Sequence, residues 1–243
     1  MLFDDIDEIR LKDWHENMQR DWHQGEHIAV IGSTGTGKTT VAHTLLECRS
    51  FVCVLAVKRY DETIDRFQKG TKYGLSQYRV IDKWPPEYSY RRVVFWPRPK
   101  DIGARDGQAE QFYHAINHMY ISGGWCISFD DAGYITGTLG LGRALGILLS
   151  QGRSSNISVV VTMTRPTSMV AQVPKEALNQ CRHVLIFKYT DEREMKVCSE
   201  IAGISFNEMK NLQKLLRFDS RKGFSDFLYV GKDKKQIVRS TTA

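Results

Sequence analysis

Runs of five to seven mostly apolar residues, rich in β-branched and aromatic side chains, recur at 27–31, 51–57, 92–96, 125–129, 158–162 and 183–187. Consecutive apolar positions of this length predict strands buried on both faces. Between them lie segments of helical period. In 108–121, Phe112, Ala115, Ile116 and Met119 share one side of the cylinder, and Gln111, His114 and His118 occupy others. Helices are also predicted over 39–47, 139–150, 175–180, 191–201 and 205–215, with Gly203 as the stop between the last two. Strands alternating with helices predict an α/β fold with a mostly parallel central sheet flanked by helices. The Pro-rich stretch 84–107 reads as the main excursion from that sheet.

Composition narrows this picture. With 243 residues, 42% hydrophobic and 26% charged, the chain has the profile of a soluble globular protein and can bury one large core. The expected division is an N-terminal extension packing on the core (1–24), a nucleotide-binding domain (25–231) and a basic, polar C-terminal tail (232–243). No apolar run reaches the roughly 18 residues of a membrane span, and the acidic start MLFDDIDEIR is unlike a signal peptide. No membrane insertion and a cytoplasmic location are therefore expected. The five cysteines are scattered and never spaced CxxC, which predicts reduced thiols. A net charge of +6 favours a polyanionic partner without specifying one.

The sequence HIAVIGSTGTGKTTVAHTLL joins a short apolar strand, a Gly-rich turn and an amphipathic helix. In that context Gly32, Ser33, Thr34, Gly35, Thr36, Gly37, Lys38, Thr39 and Thr40 predict a loop whose backbone N–H groups cradle the phosphates of ATP. Lys38 would reach the β and γ phosphates, and the Thr39 hydroxyl would ligate Mg²⁺. A flexible linker is the bland alternative, and it does not account for the strand before and the helix after.

Hydrolysis further needs a carboxylate at the end of another buried strand. The run WCISFDD supplies Asp130 for the metal and Asp131 as the acid that orients attacking water; an ordinary polar turn is the alternative. Downstream, Thr162 and Thr164 lie where the carboxyl end of a parallel strand meets ligand, and are candidates to sense the γ-phosphate. Arg153, in the turn QGRSSN, is the candidate for an arginine finger reaching across a subunit boundary, with Arg165 the second choice and a surface ion pair the alternative.

Taken in order, GSTGTGKT, FDDAG and QGRSSNISVVVTMTRPTS resemble the FtsK/HerA superfamily of ring-forming DNA translocases, above all its compact viral genome-packaging ATPases. The resemblance covers residues 25–190. It implies a P-loop NTPase of the additional-strand, catalytic-acid type, working as a hexameric homo-oligomeric ring on double-stranded DNA, with viral capsid or portal proteins as further partners. It also implies host cytoplasm or the virion as location. Thr164 stands where the family commonly has glutamine, and Asp131 where it commonly has glutamate.

Two further groups stand out. His114 and His118 lie four apart on a helix but lack a third ligand, so surface histidines are the simpler reading. Lys58-Arg59-Tyr60, the stretch from Tyr88 to Arg92, and Trp96-Pro97-Arg98-Pro99-Lys100 mix cations with aromatic rings, as DNA-gripping or interface segments do. The function expected is an ATP-hydrolysing DNA translocase. The alternative is a P-loop ATPase driving protein secretion or filamentous-phage-like assembly.

Overall fold

The computed structural model describes residues 6–60, 63–70, 76–86, 90–99, 101, 105–170, 172–219, 221 and 223–240. The chain starts with β1 (Asp7–Arg10) and α1 (Leu11–Asp21), then runs through β2 (His27–Ile31), α2 (Lys38–Leu46), β3 (Val52–Leu55), α3 (Thr63–Gln68), β4 (Arg79–Ile81) and β5 (Arg92–Phe95). The long α4 (Arg105–Ser122) leads to β6 (Cys126–Phe129), a π-helical turn (Tyr134–Thr138), α5 (Gly142–Gln151), a 3₁₀ turn (Gly152–Ser155) and β7 (Ser158–Met163). Two short helices, α6 (Pro166–Met169) and α7 (Lys175–Leu178), precede β8 (Cys181–Phe187). The chain ends with α8 (Glu192–Ala202), α9 (Phe206–Leu215), the hairpin β9 (Phe218–Asp219) and β10 (Phe224–Ser225), then β11 (Phe227–Val230) and β12 (Lys235–Arg239).

Ten strands form one sheet in the order β1-β12-β11-β8-β2-β7-β6-β3-β5-β4. From β8 to β4 all neighbours are parallel, whereas β11 is antiparallel to both β8 and β12. The six apolar runs of the sequence are the strands β2, β3, β5, β6, β7 and β8. Their lack of polar alternation has a plain cause: in β2, Ala29 and Ile31 enter one core and Ile28 and Val30 the other, so both faces are covered. One layer packs α4, α5, α8 and α9 through Phe112, Met119, Leu145, Leu148, Met195 and Met209. The other packs α1, α2 and α3 through Trp14, Met18, Leu45, Leu46 and Phe67.

The start of the chain, expected to pack on the core, also joins the sheet: β1 pairs with β12, and Trp14 of α1 sits edge-on to Phe227 at 5.1 Å. The segment 84–107 does not simply leave the sheet, because β5 lies within it between β3 and β4. Within the expected tail 232–243, Lys235–Arg239 is a strand, with Ile237 and Val238 fully buried. Three of its cations are matched internally: Lys234 to Asp21, Lys235 to Glu208, and Arg239 to Asp226 and Glu8. Two apolar residues flanked by charges gave too short a signal for a strand. Among the described residues, no helix is long and apolar enough to cross a membrane.

Candidate nucleotide-binding site

β2 is fully buried between β7 and β8, and the loop that follows it is shaped by its glycines. At Gly32 a Cβ would lie 2.6 Å from the Phe187 Cβ and 2.8 Å from the Thr36 Oγ1, so no larger residue fits. Gly35 (φ 81°) and Gly37 (φ 86°) take the left-handed conformation that side chains resist, which turns the loop into the start of α2. The Gly32 N–H donates to the Met163 carbonyl at 3.0 Å and ties the loop to the end of β7. Thr36, almost fully buried, returns its hydroxyl to the Ser33 carbonyl at 2.8 Å.

Lys38, the first residue of α2, donates from Nζ to that same Ser33 carbonyl at 2.8 Å and is only 8% exposed. Burial lowers its pKa to about 8; the charges of Asp130 and Asp131 oppose the shift and that of Lys58 adds to it. Those causes place four groups in one electrostatic neighbourhood: Lys38, the two carboxylates after β6, and Lys58 after β3. β6 is separated from β2 by β7 alone, and all three strands point their carboxyl ends the same way.

The turn after β6 is held by hydrogen bonds. Thr162 Oγ1 donates to the Phe129 carbonyl at 2.9 Å and also to that of Asp130. Expected to sense phosphate, the Thr162 hydroxyl is instead buried and directed at the β6 backbone, so it positions Asp130. Asp131 Oδ1 accepts the Tyr134 N–H at 3.2 Å and caps the turn entering the π-helical segment. Thr164 and Arg165 are exposed just beyond β7, where Tyr189 donates its hydroxyl to the Thr164 carbonyl at 2.6 Å.

Arg153 is not brought to this cluster. It is exposed on the 3₁₀ turn before β7 and packs on Gly25, which precedes β2. The five-residue β2 lies between that turn and the loop, on the order of 15 to 20 Å at roughly 3.3 Å per residue. Arg153 is therefore out of reach of its own chain's loop and sits at the opposite end of the sheet.

Two contacts to the loop or its helix, and one between neighbouring strand ends, have no signal in the sequence. Ser225, 189 residues further along the chain, donates its hydroxyl to the Thr36 carbonyl. Arg66 of α3 donates to Thr40 Oγ1 at 2.8 Å. Gln108, buried, bonds the carbonyls of Val57 (3.4 Å) and Pro97 (3.0 Å) and thereby joins the ends of β3 and β5. Such partners are distant in sequence and ordinary in type. Of the cation-aromatic segments, Arg92 turns out to be structural: it donates to the Leu46 carbonyl (3.2 Å) and the Tyr78 hydroxyl (2.9 Å) and pairs with Glu47. Residues 87–89 and 100 lie outside the described residues.

No protein-family model and no curated protein matches this chain. Solved structures do. The genome packaging NTPase B204 of Sulfolobus turreted icosahedral virus 2, in complex with AMPPCP, superposes with a TM-score of 0.62 at 15% identity, over 90% of this chain and 98% of that one. B204, the DNA-packaging ATPase of Sulfolobus Turreted Icosahedral Virus, gives 0.60 at 16% identity over 90% and 100%. VirB4 of Thermoanaerobacter pseudethanolicus gives 0.62 at 10% identity over 89% and 90%. This is a P-loop NTPase fold. At such identities the likeness is one of architecture, and within the P-loop NTPase fold the loop 32–40 occupies the turn from the central strand β2 to α2.

Proposed function

We propose that this chain is an ATP-hydrolysing DNA translocase of the viral genome-packaging type. The observation that carries the reading is that Lys38 lies in the electrostatic field of Asp130 and Asp131, at the carboxyl ends of the parallel strands β2 and β6 on either side of β7, beside a glycine-shaped loop. The residues suit the ligand: the loop's N–H groups and the start of α2 attract phosphate, and the carboxylates suit a divalent cation.

In this reading Gly32, Ser33, Thr34, Gly35, Thr36, Gly37, Thr39 and Thr40 wrap the phosphates, and Lys38 leaves the Ser33 carbonyl to pair with the β and γ oxygens. Mg²⁺, held by Thr39 and Asp130, neutralises phosphate charge when bound. Asp131 orients water for in-line attack, and Thr164 faces the γ-phosphate. Arg153 acts on the site of the neighbouring subunit, a role compatible with its exposure at the far end of the sheet. That role calls for a closed homo-oligomeric ring, with six subunits the number the family resemblance implies. DNA passes through the ring, and capsid or portal proteins anchor it.

Secretion is the second reading, favoured by the likeness to VirB4. The packaging reading is preferred because nearly the whole of each B204 chain, 96 to 100%, is matched, against 90% of VirB4. ATPase rate against added linear duplex DNA tests it. Several-fold stimulation in wild type, abolished in Asp131→Asn with ATP binding retained, is expected. An ATPase indifferent to DNA at every salt concentration would sink the motor reading.

A further inference from the structure

Two open depressions, each of about 680 Å³, adjoin at the outermost strand β4 and share Gln68 and Val80. The first lies at the amino ends of β4 and β5. It is lined by Arg79, Arg91 and Arg92 with the rings of Tyr78 and Tyr90, and among the described residues no carboxylate lines it. The second lies at the carboxyl ends of the same strands, where Lys83, Arg98 and Trp96 face, among the described residues, a single acid, Asp82.

Arg92 is committed to the framework, but the other arginines are exposed and each lies over a ring. Arg79 stands 5.8 Å from Tyr90, Arg91 5.8 Å from Phe51, and Arg98 3.7 Å from Trp96. Phe51 is 45% exposed, itself edge-on to Trp125 at 5.8 Å. A guanidinium resting on a ring keeps its N–H edge directed outward, where it pairs bidentately with phosphate. Phe51, the exposed ring beside Arg91, offers stacking surface. The arrangement follows the strand direction from one end of β4 to the other, which suits a linear polyanion better than a compact anion. β4 is the fifth neighbour from β2 in the sheet, on the order of 24 Å away at roughly 4.8 Å per strand, so this edge is distinct from the phosphate loop.

We propose that the β4 edge groove grips the backbone of a nucleic-acid strand, with Arg79 and Arg91 on successive phosphates and Arg98 continuing the track. The proposal rests on the DNA-motor reading and assigns the contact a place in this chain. Its test is fluorescence anisotropy of labelled duplex and single-stranded DNA across a salt series, with Arg79→Ala/Arg91→Ala and the charge-keeping Arg79→Lys/Arg91→Lys. The alanine pair should weaken binding about tenfold or more near physiological salt and reduce the salt slope by about 2, with DNA-free ATPase and melting temperature unchanged. The lysine pair should keep most of the slope. Equal affinity and slope in wild type and the alanine pair would overturn the groove while leaving the motor reading standing. Loss of subunit assembly at unchanged DNA affinity would also overturn it, making the edge a protein interface. If wild type itself bound neither form of DNA at low salt, the motor reading would fall together with the groove.

Discussion

The middle of the sheet and its C-terminal flank are built on opposite principles. β2, β7 and β6 are mostly apolar, parallel, and buried on both faces, and they end in the polar loops that carry Lys38, Asp130 and Asp131. The flank of β11, β12 and β1 is secured by charge. Asp226, fully buried just before β11, accepts from Arg217 at 2.7 Å, from Arg239 at 2.7 Å and from the Ser240 N–H at 3.0 Å, and Arg239 reaches on to Glu8. Burial alone would raise the Asp226 carboxyl, but the donors of Arg217 and Arg239 outweigh it and hold the pKa below the usual range. The centre gathers Lys38, Asp130 and Asp131 beside the loop; the flank pairs Asp226 with Arg217 and Arg239.

Substitutions should separate the two regions. The largest effect on activity belongs to the centre: Lys38→Ala should lower ATP turnover by about 10²-fold or more, read by phosphate release, with the melting temperature little changed. The largest effect on stability belongs to the flank. Asp226→Ala leaves Arg239 without its buried partner and should cost about 3 kcal/mol in denaturant unfolding. Because that carboxyl's folded pKa is depressed, its contribution is present above the unfolded value and is lost as pH falls through the lower folded value. Acid titration of wild type should therefore show a stability loss below about pH 4 that the alanine variant lacks.

Gly32→Ala, which drives a methyl into Phe187, should cost about 1 to 3 kcal/mol and abolish nucleotide binding by calorimetry, combining both kinds of damage at one residue. A smaller effect joins the regions. Ser225→Ala removes the bond from the flank's hairpin to Thr36 and should weaken ATP binding by a few-fold, about 1 kcal/mol, with turnover at saturation preserved. Unchanged affinity would mean that the flank is energetically separate from the loop. The smallest effect is one of pH. Lys38 binds its proton more weakly folded than unfolded, so wild type should gain stability between about pH 8 and pH 10 relative to Lys38→Met, by differential melting.

How much of this was legible depended on chemistry and separation along the chain. The loop could be read because its glycines, Lys38 and Thr39 are contiguous, and the strand before it and the helix after it are strongly patterned. The six central strands could be read because burial on both faces leaves an unbroken apolar run. β1 and β4 could not be found, since edge strands of three or four residues with exposed charges carry almost no periodic signal. The basic end of the chain misled for the same reason: Lys234, Lys235 and Arg239 look like a solvated tail until Asp21, Glu208, Asp226 and Glu8 are placed beside them.

The sequence by itself determined that a glycine-rich turn joins a buried strand to a helix, and that two aspartates close another buried strand, because local patterning and backbone sterics act over neighbouring residues. Only the tertiary structure decided that Lys38 and these aspartates share one electrostatic neighbourhood, that the Thr162 hydroxyl positions the acid turn instead of facing ligand, and that Arg153 lies a strand's length away. Those relations are fixed by which strands pair and in what register, and strand pairing between distant segments is set by packing of the whole core.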